Sequence, residues 1–234
     1  MKTDRLLLYP QDAPRKIIIF DTESSGLLTP SLGNSPASVS KSGDEVCQIG
    51  GIVCDSKGNV ENCFCLYCDI LAANNTPSAK AVNEIDMQEV RKSVPNQFLS
   101  EVLLTYLPIF FSPNNLFVGF NAKFDVKIMA NTLRDLIIFE PKCALGPKVP
   151  ERGSWFVDVG PFVFPTGRWR KLSSFTAELA EKTEDFKRMH LSKGVITNDP
   201  VSFTRDWEKN HNSLFDSMLT YLLWKENVWC KRIF

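Results

Sequence analysis

The sequence predicts one α/β domain built on a mixed β-sheet of five strands flanked by helices. Three observations point there. Lys16 opens the run Ile17-Ile18-Ile19-Phe20, whose consecutive apolar β-formers read as a strand buried on both faces. Residues 46–54 and 60–68 are apolar stretches on either side of Asp55-Ser56-Lys57-Gly58-Asn59, a strong turn signal, so they read as a hairpin. Beyond residue 79, helical periodicity alternates with two further short strands, the pattern of an α/β domain.

The elements follow in order. Residues 1–15 read as an N-terminal arm, because Pro10 and Pro14 prevent regular structure, and the domain proper spans 16–230. After the first strand, 28–44 is rich in Ser, Pro and Gly and reads as a mobile loop, placed where a flap over a substrate would sit. Helices are expected over 79–90 and 95–111, with Pro95 at an early helical position where its missing N–H is harmless. Residues 116–120 form a short strand, and Asn121 is expected to cap a helix over 122–138, with Val126, Met129, Leu133 and Ile137 on one face. A Pro- and Gly-containing connection over 141–153 leads to a strand at 155–159 and a helix at 172–180. Residues 183–210 are polar and weakly periodic and read as loop with at most a short helix; 214–229 closes the chain as an amphipathic helix.

Composition excludes several classes. The 234 residues carry 27 basic and 27 acidic side chains, a formal net charge of zero, which argues against a wide basic surface gripping a long duplex. A local phosphate site built on metal ions remains compatible with that balance. No apolar run reaches membrane-spanning length and no signal peptide is readable, so a cytoplasmic protein without membrane contact is expected. Seven cysteines, an odd number, fit reduced thiols better than a disulfide framework. Cys63, Cys65 and Cys68 have no second Cys or His pair at finger-like spacing, and they read as structural thiols within a strand.

The chemistry concentrates in a few acids. The first strand ends in Asp21 and Glu23, and residues two apart on a strand point to one face. Two like charges projecting together at the mouth of an apolar strand call for a cation. Paired carboxylate oxygens suit Mg²⁺ or Mn²⁺, which leave coordination positions open for a substrate phosphate. Asp125 falls in the first turn of the helix after the 116–120 strand, near a terminus that favours its ionised form. Asp216 falls near the start of the last helix. A five-residue offset turns an ideal helix by about 140°, so His211 can act beside Asp216 only from the loop before that helix. Asp158 reads as a turn or cap residue and His190 as a packing residue. Arg168-Trp169-Arg170-Lys171 reads either as a contact for a nucleic-acid strand or as a solvated helix start.

Together these residues resemble a known family. Phe20-Asp21-Thr22-Glu23-Ser24-Ser25-Gly26 is close to F-D-x-E-T-T-G, Asn121-Ala122-Lys123-Phe124-Asp125 to N-A-x-F-D, and His211-Asn212-Ser213-Leu214-Phe215-Asp216 to H-x-A-x-x-D. These are the three motifs, in order, of the DEDDh (DnaQ-like) 3′→5′ exonucleases of the ribonuclease H-like superfamily. Ala81 to Ile85 and Phe156 to Val159 resemble the regions between them, so the likeness covers about residues 16–227. Phe120 stands where His is common, Gln48 where the second strand often has Glu, and Ser213 where Ala is usual.

The resemblance implies a ribonuclease H-like fold and hydrolysis of phosphodiesters from the 3′ ends of single-stranded DNA or RNA. It implies two Mg²⁺ or Mn²⁺ ions held by Asp21, Glu23, Asp125 and Asp216, with His211 as general base. Histidine is the side chain suited to take a proton near neutral pH. Thr22, Ser24, Leu27 (or Leu28 as a wedge against the bases) and Asn121 would contact substrate, whereas Phe124 reads as core. An exoribonuclease of the same branch stays open, because no motif reports contacts to a 2′-hydroxyl. A non-catalytic module binding nucleic acid or a partner protein could dispense with an acid or the histidine, yet all five positions are filled. No motif identifies a polymerase or other protein partner.

Overall fold

The computed structural model describes residues 16–26, 44–71, 75–112, 115–133, 142–143, 155–164, 170–207 and 211–229. The 1–15 arm, most of the 28–44 loop, Ile137 and the Arg168-Trp169 pair fall outside them. The five expected strands are β1 (Ile17–Ser24), β2 (Val46–Cys54), β3 (Val60–Tyr67), β4 (Leu116–Gly119) and, after a two-residue edge strand β5 (Lys142–Cys143), β6 (Trp155–Asp158). They form one mixed sheet in the order β3-β2-β1-β4-β6-β5. β1 pairs antiparallel with β2 and parallel with β4, so it is central and covered on both faces.

Side chains alternate across β1. Ile18 and Phe20 face one apolar layer, where the Phe20 ring meets Phe110 and Phe117 edge to face at centroid distances of 5.8 and 5.9 Å. That layer contains α3 (Leu99–Tyr106) and α4 (Lys123–Thr132). Ile17 and Ile19 face the other layer, formed mainly by α8 (Ser213–Trp224). α8 is expected to be amphipathic but is buried almost all round, because it lies in the middle of that layer against β1 and β2. It ends in a wider turn of π-helix, Lys225–Trp229.

Local chemistry corrects several expected helices. The helix expected over 79–90 is two, α1 (Pro77–Asn83) and α2 (Met87–Ser93). Between them Glu84 takes a φ of 57°, and Asn83 Oδ1 accepts from the Ile85 N–H, offering the backbone an alternative to the helix. Asp86 then caps α2 through Gln88 N. The helix expected from residue 95 starts only at Leu99 and stops at Tyr106, because Pro108 forces Leu107 out of helical geometry and a 3-10 turn follows. Asn121 does not cap α4: it sits at φ 56°, and the cap position belongs to Ala122.

The largest correction is at 172–210. Residues 172–175 make only a 3-10 turn, whereas α6 (Ala180–Met189) and α7 (Pro200–Asp206) occupy what reads as loop. α6 buries only Thr183 and Phe186 and carries Glu184–Lys187 and Asp185–Arg188 pairs on its exposed side, so apolar periodicity gives little signal. Asp199 caps α7 through Ser202 N. The stretch between them pairs with the β3 edge, Ile196 bridging Phe64. His190 ends α6 and packs on Phe186 at 4.7 Å, as a packing residue should. Arg170 lies over the Phe175 ring and bonds Glu178, beside the 3-10 turn. Cys47, Cys54, Cys63, Cys65 and Cys68 are buried free thiols.

α8 approaches β2 so closely that a Cβ on Gly50 would lie 2.2 Å from Leu214 N and 2.5 Å from the Ser213 carbonyl carbon. Both are backbone atoms that cannot swing aside. Gly50→Ala should therefore cost about 1–3 kcal/mol by overpacking, a fall of about 2–12 °C in the thermal midpoint of a chain this size. An unchanged midpoint by calorimetry would mean that α8 does not rest on β2 at this residue.

Candidate active site

The C-terminal end of β1 is where the two layers meet. Asp21 and Glu23 continue the Ile17/Ile19 face and point toward α8, opposite Gly50 and Gln48 of β2 respectively. Thr22 belongs to the other face and points toward α4. From that side Asp125, in the first turn of α4, uses Oδ1 to accept from Thr22 N at 2.9 Å and Thr22 Oγ1 at 2.7 Å. Asp125 is thus fastened to β1 itself, between the two other acids.

From the α8 side come His211 and Asp216. Asn212 caps α8, its Oδ1 accepting from Leu214 N and Phe215 N, and puts Asp216 in the first turn. His211 precedes the cap at φ 60°, exposed, on the loop as expected. Gln48 fixes the helix start to the sheet, its Oε1 accepting from Ser213 N at 2.9 Å and Ser213 Oγ at 2.8 Å. Ser217 Oγ adds a bond to Gly50 O one turn further on.

These groups surround a cleft of about 200 Å³. Asp21, Glu23, Asp125, His211 and Asp216 all line it, and so do Thr22, Ser24 and Asn121. Leu27 lies outside the described residues. The Thr22 hydroxyl is already committed to Asp125, and Ser24 Oγ donates to Gly26 O at 2.7 Å. Asn121 is exposed at the rim, its N–H held by Asp158 Oδ1 at 3.0 Å, so Asp158 is the turn residue it reads as. Asp158 also accepts from Gly160 N.

The structure adds residues that sequence reasoning missed. Asn83 lines the cleft and its Nδ2 donates to Ser24 O at 3.0 Å; Ala79 and Val82 stand beside it on α1. Phe120 supplies an aromatic wall, edge to face with Phe164, and Phe124, expected as core, packs against the core while also lining the cleft. Only the Asn83-Glu84-Ile85-Asp86 sequence, rich in residues that bond to local backbone, could have signalled a break there. Gln48 reads as a strand residue, and nothing in a strand pattern reports a partner 165 residues away.

Four carboxyl groups share this cleft, and their electrostatics follow. Burial, then Asp125, Asp216 and Glu23, hold the Asp21 carboxyl well above its ordinary range. Glu23 is raised by burial and by Asp216 and Asp125. Burial pushes Asp125 to about 7 despite the opposing bonds from Thr22, and burial with Asp125 pushes Asp216 to about 7. One ligand-capable atom from each of Glu23, His211 and Asp216 lies within 4.8 Å of the others. The carboxylate oxygens of Glu23 and Asp216 in this set suit a hard divalent cation, with the His211 imidazole beside them.

No protein-family model matches the chain. No curated protein sequence matches it either. Solved structures do. A zinc-bound complex of E. coli exonuclease I with single-stranded DNA is 18% identical, with a TM-score of 0.53, over 94% of this chain and 41% of that one. Exonuclease I from Methylocaldum szegediense is 18% identical at TM-score 0.53, over 91% and 41%. Exonuclease X in complex with 5′-overhanging duplex DNA is 16% identical at TM-score 0.50, over 88% and 87%. The chain therefore has the ribonuclease H-like fold of exonuclease I, with its mixed sheet and flanking helices, and spans 41% of the length of the first exonuclease I chain it matches.

The raised carboxyls make stability depend on pH with a defined sign. Unfolded, Asp125 and Asp216 would release their protons near 3.8, whereas folded they keep them up to about 7. Without metal, the thermal midpoint should therefore fall as pH rises from about 4 to about 7. Mn²⁺ or Mg²⁺ should restore it most above pH 7, where these acids are ionised, and should release protons on binding below pH 7. Asp21→Ala should flatten the metal-free decline. A pH-independent midpoint in chelator, equal with and without metal, would refute the crowding.

Proposed function

We propose that the protein is a metal-dependent 3′→5′ exonuclease that releases nucleoside 5′-monophosphates from the 3′ ends of single-stranded nucleic acid. What supports this is the meeting of Asp21, Glu23, Asp125, His211 and Asp216, from three separate motifs, in one cleft of an exonuclease I-like fold. Asp21, Glu23 and Asp216 would hold one Mg²⁺ or Mn²⁺, and Asp21 with Asp125 a second. Bound there, the ions would offset phosphodiester charge and make a water easier to ionise.

The chain's own residues do the rest. His211, at the mouth of the cleft beside Glu23 and Asp216, takes the proton from the attacking water. Its exposure leaves the imidazole free to pass that proton to solvent. Asn121 at the rim and Phe120 on the wall are placed to hold the terminal nucleotide, an amide for hydrogen bonds and a ring for stacking. Exposed Lys123 and Lys127 follow on the adjoining helix. With zero net charge, the grip on a polynucleotide is local, which favours single strands and frayed ends over intact duplex.

The direct experiment digests matched 5′-labelled single-stranded DNA, duplex DNA and RNA with Mg²⁺ or Mn²⁺. A descending ladder of 5′-labelled products, with mononucleotides released, is expected; the relative rates identify the preferred sugar. Cleavage of a circular single strand would overturn the exonuclease reading.

A second comparison separates base from ligand. His211→Asn should lower turnover by about 10²–10⁴-fold while calorimetric binding of Mn²⁺ stays close to wild type. Asp216→Asn should lose both. Retention of more than about half of wild-type turnover by His211→Asn would remove the general-base role.

A further inference from the structure

The two halves of the cleft belong to elements far apart in sequence. Asp21 and Glu23 are carried by β1, and His211 and Asp216 by the loop and first turn of α8. Their separation is decided by whatever joins α8 to the sheet at that level. Gln48 does so. It stands directly opposite Glu23 in the β1–β2 register, is 1% exposed, and its Oε1 accepts both the backbone N–H and the hydroxyl of Ser213.

Ser213 is itself fully buried and lies two residues from His211. Its N–H belongs to the first turn of α8, where backbone donors have no partner inside the helix. The Asn212 side chain takes those of Leu214 and Phe215, and Gln48 takes that of Ser213. Backbone contact at Gly50 prevents α8 from moving closer, and the two Gln48 bonds prevent it from moving away. His211 is exposed with a left-handed backbone and is tied to this frame through Asn212 and Ser213, so it is the first site group to drift if the Gln48 bonds are lost.

We propose that Gln48 is a positioning residue, which through Ser213 sets the distance of the His211 imidazole from the Glu23–Asp216 carboxyls. The proposal rests on the exonuclease reading for its kinetic consequences but not for its structural ones.

The test uses the full chain. Gln48→Leu keeps the side chain apolar and similar in size while removing the acceptor. Turnover should fall by about 10–100-fold, the effect of a small misplacement of a reacting group, with KM changed by less than about threefold. Gln48→Glu, which presents an acceptor oxygen at the same reach, should recover turnover to within about fivefold of wild type. Ser213→Ala removes one of the two bonds and should fall between them. On a His211→Asn background, Gln48→Leu should add less than about threefold, because the two act as one unit. Multiplying losses, or wild-type turnover in Gln48→Leu, would overturn the proposal.

A second readout needs no activity. The chain has only two histidines, so NMR can resolve the two imidazoles. In Gln48→Leu and Ser213→Ala the His211 ring signals should move while those of His190 stay. Unmoved His211 signals overturn the proposal even if no substrate is ever cleaved, whereas a wild-type chain without hydrolysis counts against the exonuclease reading alone.

Discussion

Asp21, Glu23, Asp125 and Asp216 reach one cleft from β1, α4 and α8, and each carboxyl there is held above its ordinary pKa by burial and by its neighbours. Bringing like charges out of water and together opposes folding, so the scaffold around them must hold what they would push apart. The apolar run Ile17 to Phe20 is fully buried and central in the sheet, which anchors the pair that follows it. Thr22 binds Asp125 with two hydrogen bonds from the opposite layer. Gln48 and Gly50 seat α8. Asp125 is thereby held by neutral donors and the others by the elements that carry them, with no ion pair at any of the four among the described residues.

Two of the four non-glycine residues with positive φ among the described residues lie at the same end of the sheet. Asn121 and His211 are non-glycine residues with φ of 56° and 60°. Such conformations cost about 1–3 kcal/mol each and persist where surrounding contacts over-determine them. Asp158 holds the Asn121 N–H, and the Asn212 cap with the Gln48 bonds holds the chain after His211. In both cases the unusual residue opens a helix and lines the cleft. The helix beyond it is thereby free to begin with its functional acid in the first turn.

Most of this arrangement is legible in the sequence because its signals are local. Consecutive Ile residues mark β1, the Asp55–Asn59 turn marks the hairpin, and period-2 spacing puts Asp21 and Glu23 on one face. His211 is expected on a loop because five helical residues cannot align it with Asp216, and it lies there at φ 60°. What was hidden depends on partners distant in the chain. Gln48 reads as an ordinary strand residue until Ser213 is beside it. Asn121 reads as a cap until Asp158 draws its N–H away. α6 is held by ion pairs and a narrow buried edge, so hydrophobic periodicity does not announce it. Asn83 looks helical until its side chain is found on the Ser24 carbonyl.

The arrangement also weighs between catalysis and mere binding. A module that only held nucleic acid would gain nothing from four carboxyls crowded into one cleft, since their ionised forms repel phosphate. It would do better with arginines and lysines, and those lining the cleft are none among the described residues. The chain as a whole has no net positive charge to compensate. On the exonuclease reading proposed above, attraction between this cleft and a phosphodiester would pass through divalent cations, whose charge would both relieve the crowded acids and meet a phosphate. A cleft whose acids hold their protons without metal and would ionise around it suits that reading better than storage or scaffolding. An exposed histidine at the mouth fits the same proposal, since its imidazole can exchange protons with solvent.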